Sequence, residues 1–532
     1  MSDRLMPAAV MEQAPAAEPA TVARPWCVLE TALVLLVFAA YAGCPVPDPN
    51  EPHYLGKAKH YYDPSWIADD FFLDSVDSHW TFYVTCGWMS REVALPTMAW
   101  VGRFVTWLLL ATAWRRLSWA LLPQWGAAVV SAALFVALNE NFHMAGEWVV
   151  GGFEAKGFAY ALVFAGLAEL VRGRWNATWI LLGVASAFHV LVGGWTVIAV
   201  GICWLTIRAG RPSFGAMLPG LVVGGLLSLP GLLPGMAINF GADRDIVARA
   251  NVIYVYERLP HHLSFFGIAN PLCSRFALLV AGWIVLALVV AGDDGRRRVR
   301  SVVNASLVIA LAGVLLSVWG LSQPELAAAW LRFYWFRLAD AFVPLGVALW
   351  TVALVARLTA SRPKRRAAAT IALLAFAGWQ LAPQIMARFA DPIPRADKPG
   401  KVQNHVDWRD ACEWIAVHVP AGARFLTPRT AQTFKWYAAR SEVVTWKDLP
   451  QDAAGIVAWR ERLEDLYGTG DAEEPWYDSL AETPRDRLLA AAQKYQAGYI
   501  LTEAEPALDF PCLYRNATYA VYELPRPEPP AR

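Results

Sequence analysis

Between Pro45 and Tyr54 the chain reads Pro-Val-Pro-Asp48-Pro-Asn-Glu51-Pro-His53-Tyr54, two carboxylates and an imidazole on a stretch punctuated by four prolines. Proline fixes φ and biases the residue before it away from helix, so the spacing predicts an extended, stiff segment. A carboxylate held this way can accept a proton from an attacking group. The plainer reading is a solvated turn, because Asp, Asn and Pro are the usual turn residues. A second acidic group follows at Glu154, with Lys156 two residues on, after a loop that contains Glu140, His143 and Glu147. Glu154 with Lys156 reads either as a charged pair facing a cavity or as an interfacial lysine with a solvated neighbour. Glu140 and Glu147 read as solvent-facing. The cationic candidates are His261-His262 after Arg258, then Arg332 and Arg337, with Lys57 in the first loop. A guanidinium offers a planar fork to phosphate oxygens, which makes Arg332 the best anion ligand of the set. Arg337 and Asp340 are three apart and could instead form an intramembrane ion pair. His189 reads as a core or interface histidine.

The elements that must position these residues are mostly apolar. Of 532 residues 56% are hydrophobic and 17% charged, with 26 Trp, and mean hydropathy is +0.34. Apolar runs about as long as a helix needs to cross ~30 Å of hydrocarbon recur along the chain, which marks a polytopic membrane protein. The patterning predicts about eleven spans, at 26–43, 96–113, 119–138, 157–171, 176–191, 194–208, 214–235, 275–291, 301–320, 334–357 and 367–386. With the N-terminus inside, the even-numbered connections carry Arg115-Arg116, Arg172 and Arg174, Arg208 and Arg211, Arg296 to Arg300, and Arg362 to Arg366. That agreement with the positive-inside rule puts loops 44–95, 139–156, 236–274 and 321–333, and the C-terminus, on the extracytoplasmic face.

Residues 1–25 and 525–532 read as disordered from their Ala, Pro and Glu content. Residues 391–524 read as a soluble extracytoplasmic α/β domain, with helix signals at Trp408–His418, Thr430–Ala439, Ile456–Tyr467 and Pro484–Tyr495. Short strand-like runs lie at 424–427, 442–446, 499–502 and 519–523. The predicted fold is thus an all-α polytopic membrane domain followed by a small α/β domain. No phosphate-binding loop, dinucleotide fingerprint or zinc motif is present, and a net charge of +1 argues against nucleic acid. Seven cysteines form no metal pattern, though Cys44 with Cys86, or Cys412 with Cys512, could be bridged in an oxidising compartment.

An acid-bearing loop after the first helix, ten to thirteen membrane helices and an extracytoplasmic C-terminal domain together resemble the GT-C class of membrane glycosyltransferases, which includes protein mannosyltransferases and aminoarabinose transferases. The motif that carries over is Asp48-x-x-Glu51. More closely, Asn50-Glu51-Pro-His53-Tyr54, Asp70-Phe-Phe-Leu73, Phe153-Glu-Ala-Lys156-Gly157 and Arg337-Leu-Ala-Asp340 resemble a set of GT-C-like bacterial membrane proteins with no assigned substrate. The resemblance implies transfer of a sugar from a polyprenyl-phosphate or polyprenyl-pyrophosphate carrier to an extracytoplasmic glycan, lipid or protein acceptor. It casts Asp48 as base, with Glu51 and Glu154 as accompanying acids. Arg332, Arg337, Lys57, Lys156, His53, His261 and His262 become the substrate-binding set. The class's first-loop acids are often adjacent and can help hold a divalent metal. Here they are three apart and, in an extended segment, point different ways, which argues against a metal site. The alternatives are a transporter or flippase of a lipid-linked saccharide, and a non-catalytic GT-C-like scaffold. Ionisable residues near the extracytoplasmic ends of the helices, with no paired halves, favour the enzyme over the transporter.

Overall fold

The computed structural model describes residues 24–525 apart from 209, 291 and 472; the two segments read as disordered therefore lie outside it, save for residues 24, 25 and 525. Helices Arg24–Ala42, Leu95–Leu121, Ala127–Asn141, Ala155–Val171, Trp175–Phe188, Val190–Thr206, Phe214–Ala237, Asn270–Val289, Asp294–Trp319, Arg337–Leu358 and Pro363–Ala390 follow the eleven apolar runs. Six of these regions are long and apolar enough to cross a membrane: Pro25–Ala42, Phe214–Ala237, Asn270–Val289, Asp294–Trp319, Arg337–Leu358 and Pro363–Ala390. The protein is a membrane protein. Length and composition alone do not extend the count to eleven, because Ala127–Asn141, Trp175–Phe188 and Val190–Thr206 are short. Leu95–Leu121 carries Arg103, Arg115 and Arg116, and Ala155–Val171 carries Lys156 and Glu169.

One boundary differs from the sequence reading. Trp119 belongs to Leu95–Leu121, and the next helix begins only at Ala127, after Pro123 and a left-handed Gly126 (φ +83°). Proline one or two residues past a helix end, then a glycine free to take positive φ, makes that turn.

The helix Ala155–Val171 sets the axis of the bundle. At its C-terminal end Glu169 gathers Arg116, Arg172 and Arg174 at 2.9, 3.1 and 3.2 Å, and Arg298 donates to the carbonyls of Leu170 and Val171. Three of the five basic connections thus meet at one end of the bundle. Lys156, about 20 Å away at 1.5 Å per residue, marks the opposite end.

The first loop is built on a helix, Glu51–Tyr62, rather than on a fully extended strand. Pro52 sits in its first turn, where the missing N–H was an orphan in any case, so the proline opens the helix instead of breaking it. The C-terminal region folds into a five-stranded sheet of β1 (Arg424–Leu426), β2 (Ser441–Glu442), β3 (Tyr499–Glu503), β4 (Cys512–Arg515) and β5 (Tyr519–Glu523). The strand order is β2-β1-β3-β5-β4, parallel at β1–β2 and β1–β3 and antiparallel at β3–β5 and β4–β5. Trp408, Trp459, Phe425, Leu426, Ile500 and Val521 are buried in its core. Cys412 lies in that core while Cys512 is exposed on the edge strand, and neither they nor Cys44 and Cys86 are bridged.

Sheet and membrane bundle meet across the first loop. Asp70 accepts from the amides of Phe72 and Leu73 at 3.1 and 2.9 Å and from that of Glu442 at 3.1 Å. Beside it the ammonium of Lys435 lies 2.5 Å from Glu442, 2.8 Å from Asp448 and 3.7 Å from Asp70. Three carboxylates around one buried lysine hold it well above its ordinary pKa, while burial pushes Glu442 up to about 7. The Asp70-Phe-Phe-Leu73 motif therefore docks the C-terminal domain.

Candidate functional site

At the Lys156 end of the bundle lies a cavity of about 510 Å³. Its wall is drawn from the first loop (Asn50, His53, Tyr54, His79), the Ala145–Trp148 loop, His189, the end of the Phe214–Ala237 helix, the Tyr254–His262 segment, the Arg332–Arg337 turn and the C-terminal domain (Lys447, Leu449). Five of the lining side chains are cationic, namely Lys156, Arg258, Arg332, Arg337 and Lys447, against the single carboxylate of Glu147.

The two arginines that helical spacing would separate converge because the chain between them is not helical. Pro324–Leu331 ends at Arg332, and Tyr334 takes a left-handed conformation (φ +56°) before Arg337 starts the next helix. A bulky residue at positive φ is strained and persists only where its surroundings hold it. Here the Trp195 indole donates to the Phe333 carbonyl at 2.7 Å, and the Tyr334 hydroxyl meets that of Tyr254 at 3.1 Å. On the facing wall a π-helical turn, Ile253–Arg258, presents Tyr254 and Arg258. Wide turns of this kind occur often at functional sites.

Arg332 donates to Asn251 Oδ1 at 2.6 Å. Arg337 lies 3.0 Å from Glu147, 3.2 Å from His189 Nε2 and over the ring of Tyr334. Asp340 accepts instead from the amides of Met144, Ala145 and Glu147, at 2.7, 2.8 and 3.2 Å, so it shapes the Ala145–Trp148 loop and does not pair with Arg337. Glu147, expected in solvent, is buried against Arg337 and the Tyr160 hydroxyl. Lys156 sits 3.6 Å above the Trp148 ring, with Glu154 at 3.7 Å and Glu147 at 3.9 Å. Glu154 is buried, bonded by Asn50 and the Trp148 indole, and burial raises its carboxyl above the ordinary value.

Of the residues singled out from sequence, His53, Lys156, His262, Arg332 and Arg337 line the cavity, and Glu154 touches Asn50 and Trp148 in its wall. The others are spent elsewhere. Asp48 is 3% exposed; its carboxylate accepts from the Gly152 amide at 2.9 Å and the Cys44 thiol at 3.3 Å, with Arg395 at 3.9 Å. Burial pushes that thiol up to about 12, so it remains a donor. Glu51 is fully buried and clamped by Arg103 at 2.6 and 2.7 Å; it also accepts from the amides of Asp48 and Phe153. The three-residue spacing of Asp48 and Glu51 lets the glutamate reach back to the Asp48 N–H, as in a capping box. A Cβ at Gly152 would lie 2.8 Å from that of Asp48, so only glycine allows the amides of 152 and 153 to approach both acids. With both oxygens of Glu51 taken by Arg103, the first-loop acids do not fit a metal site, and the described residues contain no group of three or more His, Cys, Asp or Glu arranged to hold one.

Lys57 is buried on the Leu73 carbonyl and Asp77, at 3.1 and 3.2 Å, and pins the loop rather than facing the cavity. His261 is exposed and its ring lies tilted against that of His262. His262 reaches the Ala145 carbonyl at 2.5 Å, and burial brings it down to about 3, so it is a neutral ring and not a cation. His53 lies 3.4 Å from Asp448, and burial keeps it below its ordinary value too. The sequence reading missed Lys447, Glu147, His79 and His189 as wall residues, and left Arg258 without a role.

Among known families, DUF6798, described as a domain of unknown function, matches residues 406–466, within the sheet domain. No curated protein matches the chain. The chain is similar to the Archaeoglobus fulgidus oligosaccharyltransferase crystallised with Zn and sulfate, at TM-score 0.46 and 13% identity over 90% of this chain and 67% of that one. A second structure, the same organism's oligosaccharyltransferase AglB with an inhibitory peptide and a dolichol-phosphate, gives TM-score 0.45 and 12% identity over 90% and 69%. Likenesses this distant supply no residue correspondence.

Proposed function

We propose that the protein is a GT-C-type glycosyltransferase that binds the phosphate of a polyprenyl-linked sugar in the cationic cavity and transfers the sugar to an acceptor on the face opposite the basic connections. The observation that carries this reading is five cations around one cavity at the end of an apolar bundle. The lining includes Leu232 and Met236 of the Phe214–Ala237 helix, and Leu233 and Met236 there are 57% and 76% exposed. An apolar helix end beside a cationic chamber suits a lipid tail and its phosphate head. Positive charge aimed at the departing phosphate stabilises it as the sugar leaves.

The proton acceptor must lie in the chamber, which favours Glu147 over the sealed Asp48. When donor phosphate engages Arg337, the Glu147 carboxylate is freed to accept the proton of an acceptor hydroxyl. Asp48 and Glu51 hold the first loop against the Gly151-Gly152 turn. With N-terminus and basic connections cytoplasmic, the cavity and sheet domain face the periplasmic side of an inner membrane. The test is transfer of labelled sugar from polyprenyl-phosphate and polyprenyl-pyrophosphate donors to cell-envelope acceptors by purified protein. We expect turnover with one donor class and its loss in Glu147→Gln; no turnover with any donor would refute the reading.

Donor affinity should also depend on pH. Burial, with Arg258 nearby, brings Lys447 down to about 8; Lys401 adds like charge, and Glu154 and Asp448 oppose it. Below that pH the ammonium is charged and grips an anion, and above it the charge is lost. Donor binding is therefore expected to weaken severalfold between pH 7 and 9. Lys447→Arg should flatten the profile, which titration at fixed ionic strength would show.

A further inference from the structure

The charge balance of the cavity points past the question of whether it binds a phosphate to how many it binds. Arg337 and Lys156 have counter-ions on the protein, in Glu147 and Glu154. The other three cations rest on neutral oxygens: Arg258 on the Trp446 carbonyl at 2.8 Å, Arg332 on Asn251 at 2.6 Å, and Lys447 on Asn50 at 2.7 Å. Asp448, next to Lys447, is taken by Lys435 at 2.8 Å and His53 at 3.4 Å. Cations drawn into a cavity without an ion-pair partner of their own are costly to keep, so the site is poised for an anion of more than one charge.

The cations are also arranged in two groups. Arg332 and Arg337 stand either side of Tyr334 on the membrane-domain turn, and Arg258 lies on the carbonyl and ring of Trp446, the residue before Lys447, where that domain joins the sheet domain. We propose that the cavity is built for a diphosphate, the Arg332–Arg337 turn holding one phosphate and Arg258 with Lys447 the other. This rests on the lipid-phosphate reading above. A sugar phosphodiester leaves a lipid monophosphate and carries one negative charge, whereas a sugar diphosphate diester carries two. Lys447 further makes the sheet domain a wall of the donor site, so the domain contributes to donor choice besides any acceptor binding.

The test is calorimetric titration of the detergent-solubilised full chain with farnesyl diphosphate, farnesyl phosphate and inorganic pyrophosphate. Farnesyl diphosphate is expected to bind at least about tenfold tighter than farnesyl phosphate. Lys447→Gln and Arg258→Gln should each remove most of that preference while leaving the monophosphate within about twofold of wild type. Lys447→Arg should restore it, and unchanged melting temperatures would show that the variants are folded. Equal affinity for the two lipids, or equal loss for both in the variants, would overturn the diphosphate assignment and leave the lipid-phosphate reading standing. Binding of neither lipid, or of pyrophosphate as tightly as its farnesyl ester, would overturn the lipid-donor reading itself.

Discussion

Arg103→Met will lower the stability of the purified protein by about 3–5 kcal/mol, because it leaves the Glu51 carboxylate buried and unpaired. Arg103 and Glu51 are both 0% exposed and joined through two charge-assisted hydrogen bonds, and Arg103 also holds the Cys44 carbonyl at 2.5 Å. Glu51→Gln should cost a similar amount, and the double variant Glu51→Gln/Arg103→Met should recover a large part of either loss, since both charges are then gone. Denaturant unfolding in detergent, followed by intrinsic fluorescence, measures all three. The outcome separates two roles that sequence alone cannot distinguish. A catalytic Glu51 would give a Glu51→Gln protein of normal stability and no activity; a structural one gives a destabilised protein whose activity falls with its folded fraction.

Arg337→Met is expected to reduce sugar transfer by on the order of a hundredfold or more. Its guanidinium sits where the membrane helix begins, between Glu147, His189 and the Tyr334 ring. The substitution also strands Glu147, so a loss of stability accompanies it. Arg337→Met/Glu147→Gln should restore stability, and weakened binding of farnesyl diphosphate by Arg337→Met alone would identify its loss of transfer as one of anion binding. Arg337→Lys should recover only part of the activity, because a point charge does not reproduce the fork. His261→Ala serves as control: that ring is exposed and outside the lining, so initial rates should stay at the wild-type level.

Much of the site was legible from where charge falls relative to apolar runs. Lys156, Arg332 and Arg337 each stand at the edge of a hydrophobic stretch, where an ion needs a cavity or a partner, and all three line the same chamber. Arg103 carried the same signal inside an apolar run, and its partner turned out to be the very glutamate singled out for chemistry. A buried arginine in a membrane helix needs an acid partner, but Glu92 and several aspartates lie nearer in the chain, and only the fold selects Glu51. Lys447 gave no such signal. It lies more than a hundred residues beyond Arg337, the nearest wall residue of the membrane domain, and docking through Asp70 and Lys435 brings it in. The strand β4 escaped for a related reason: at a sheet edge its residues are largely exposed, so the alternation that marks a half-buried strand is absent. A five-residue step on a helix would put Arg332 and Arg337 on different faces, and the left-handed Tyr334 that brings them to one cavity has no mark in the local sequence.

The contents of the chamber decide whether it holds a lipid diphosphate. Electron cryomicroscopy of the protein in lipid nanodiscs with added polyprenyl diphosphate should show head-group density between Arg258, Arg332, Arg337 and Lys447, its tail leaving past Leu232 and Met236. A chamber without density under saturating lipid, or a lipid whose phosphates lie against Asp48 and Glu51 instead, would contradict it.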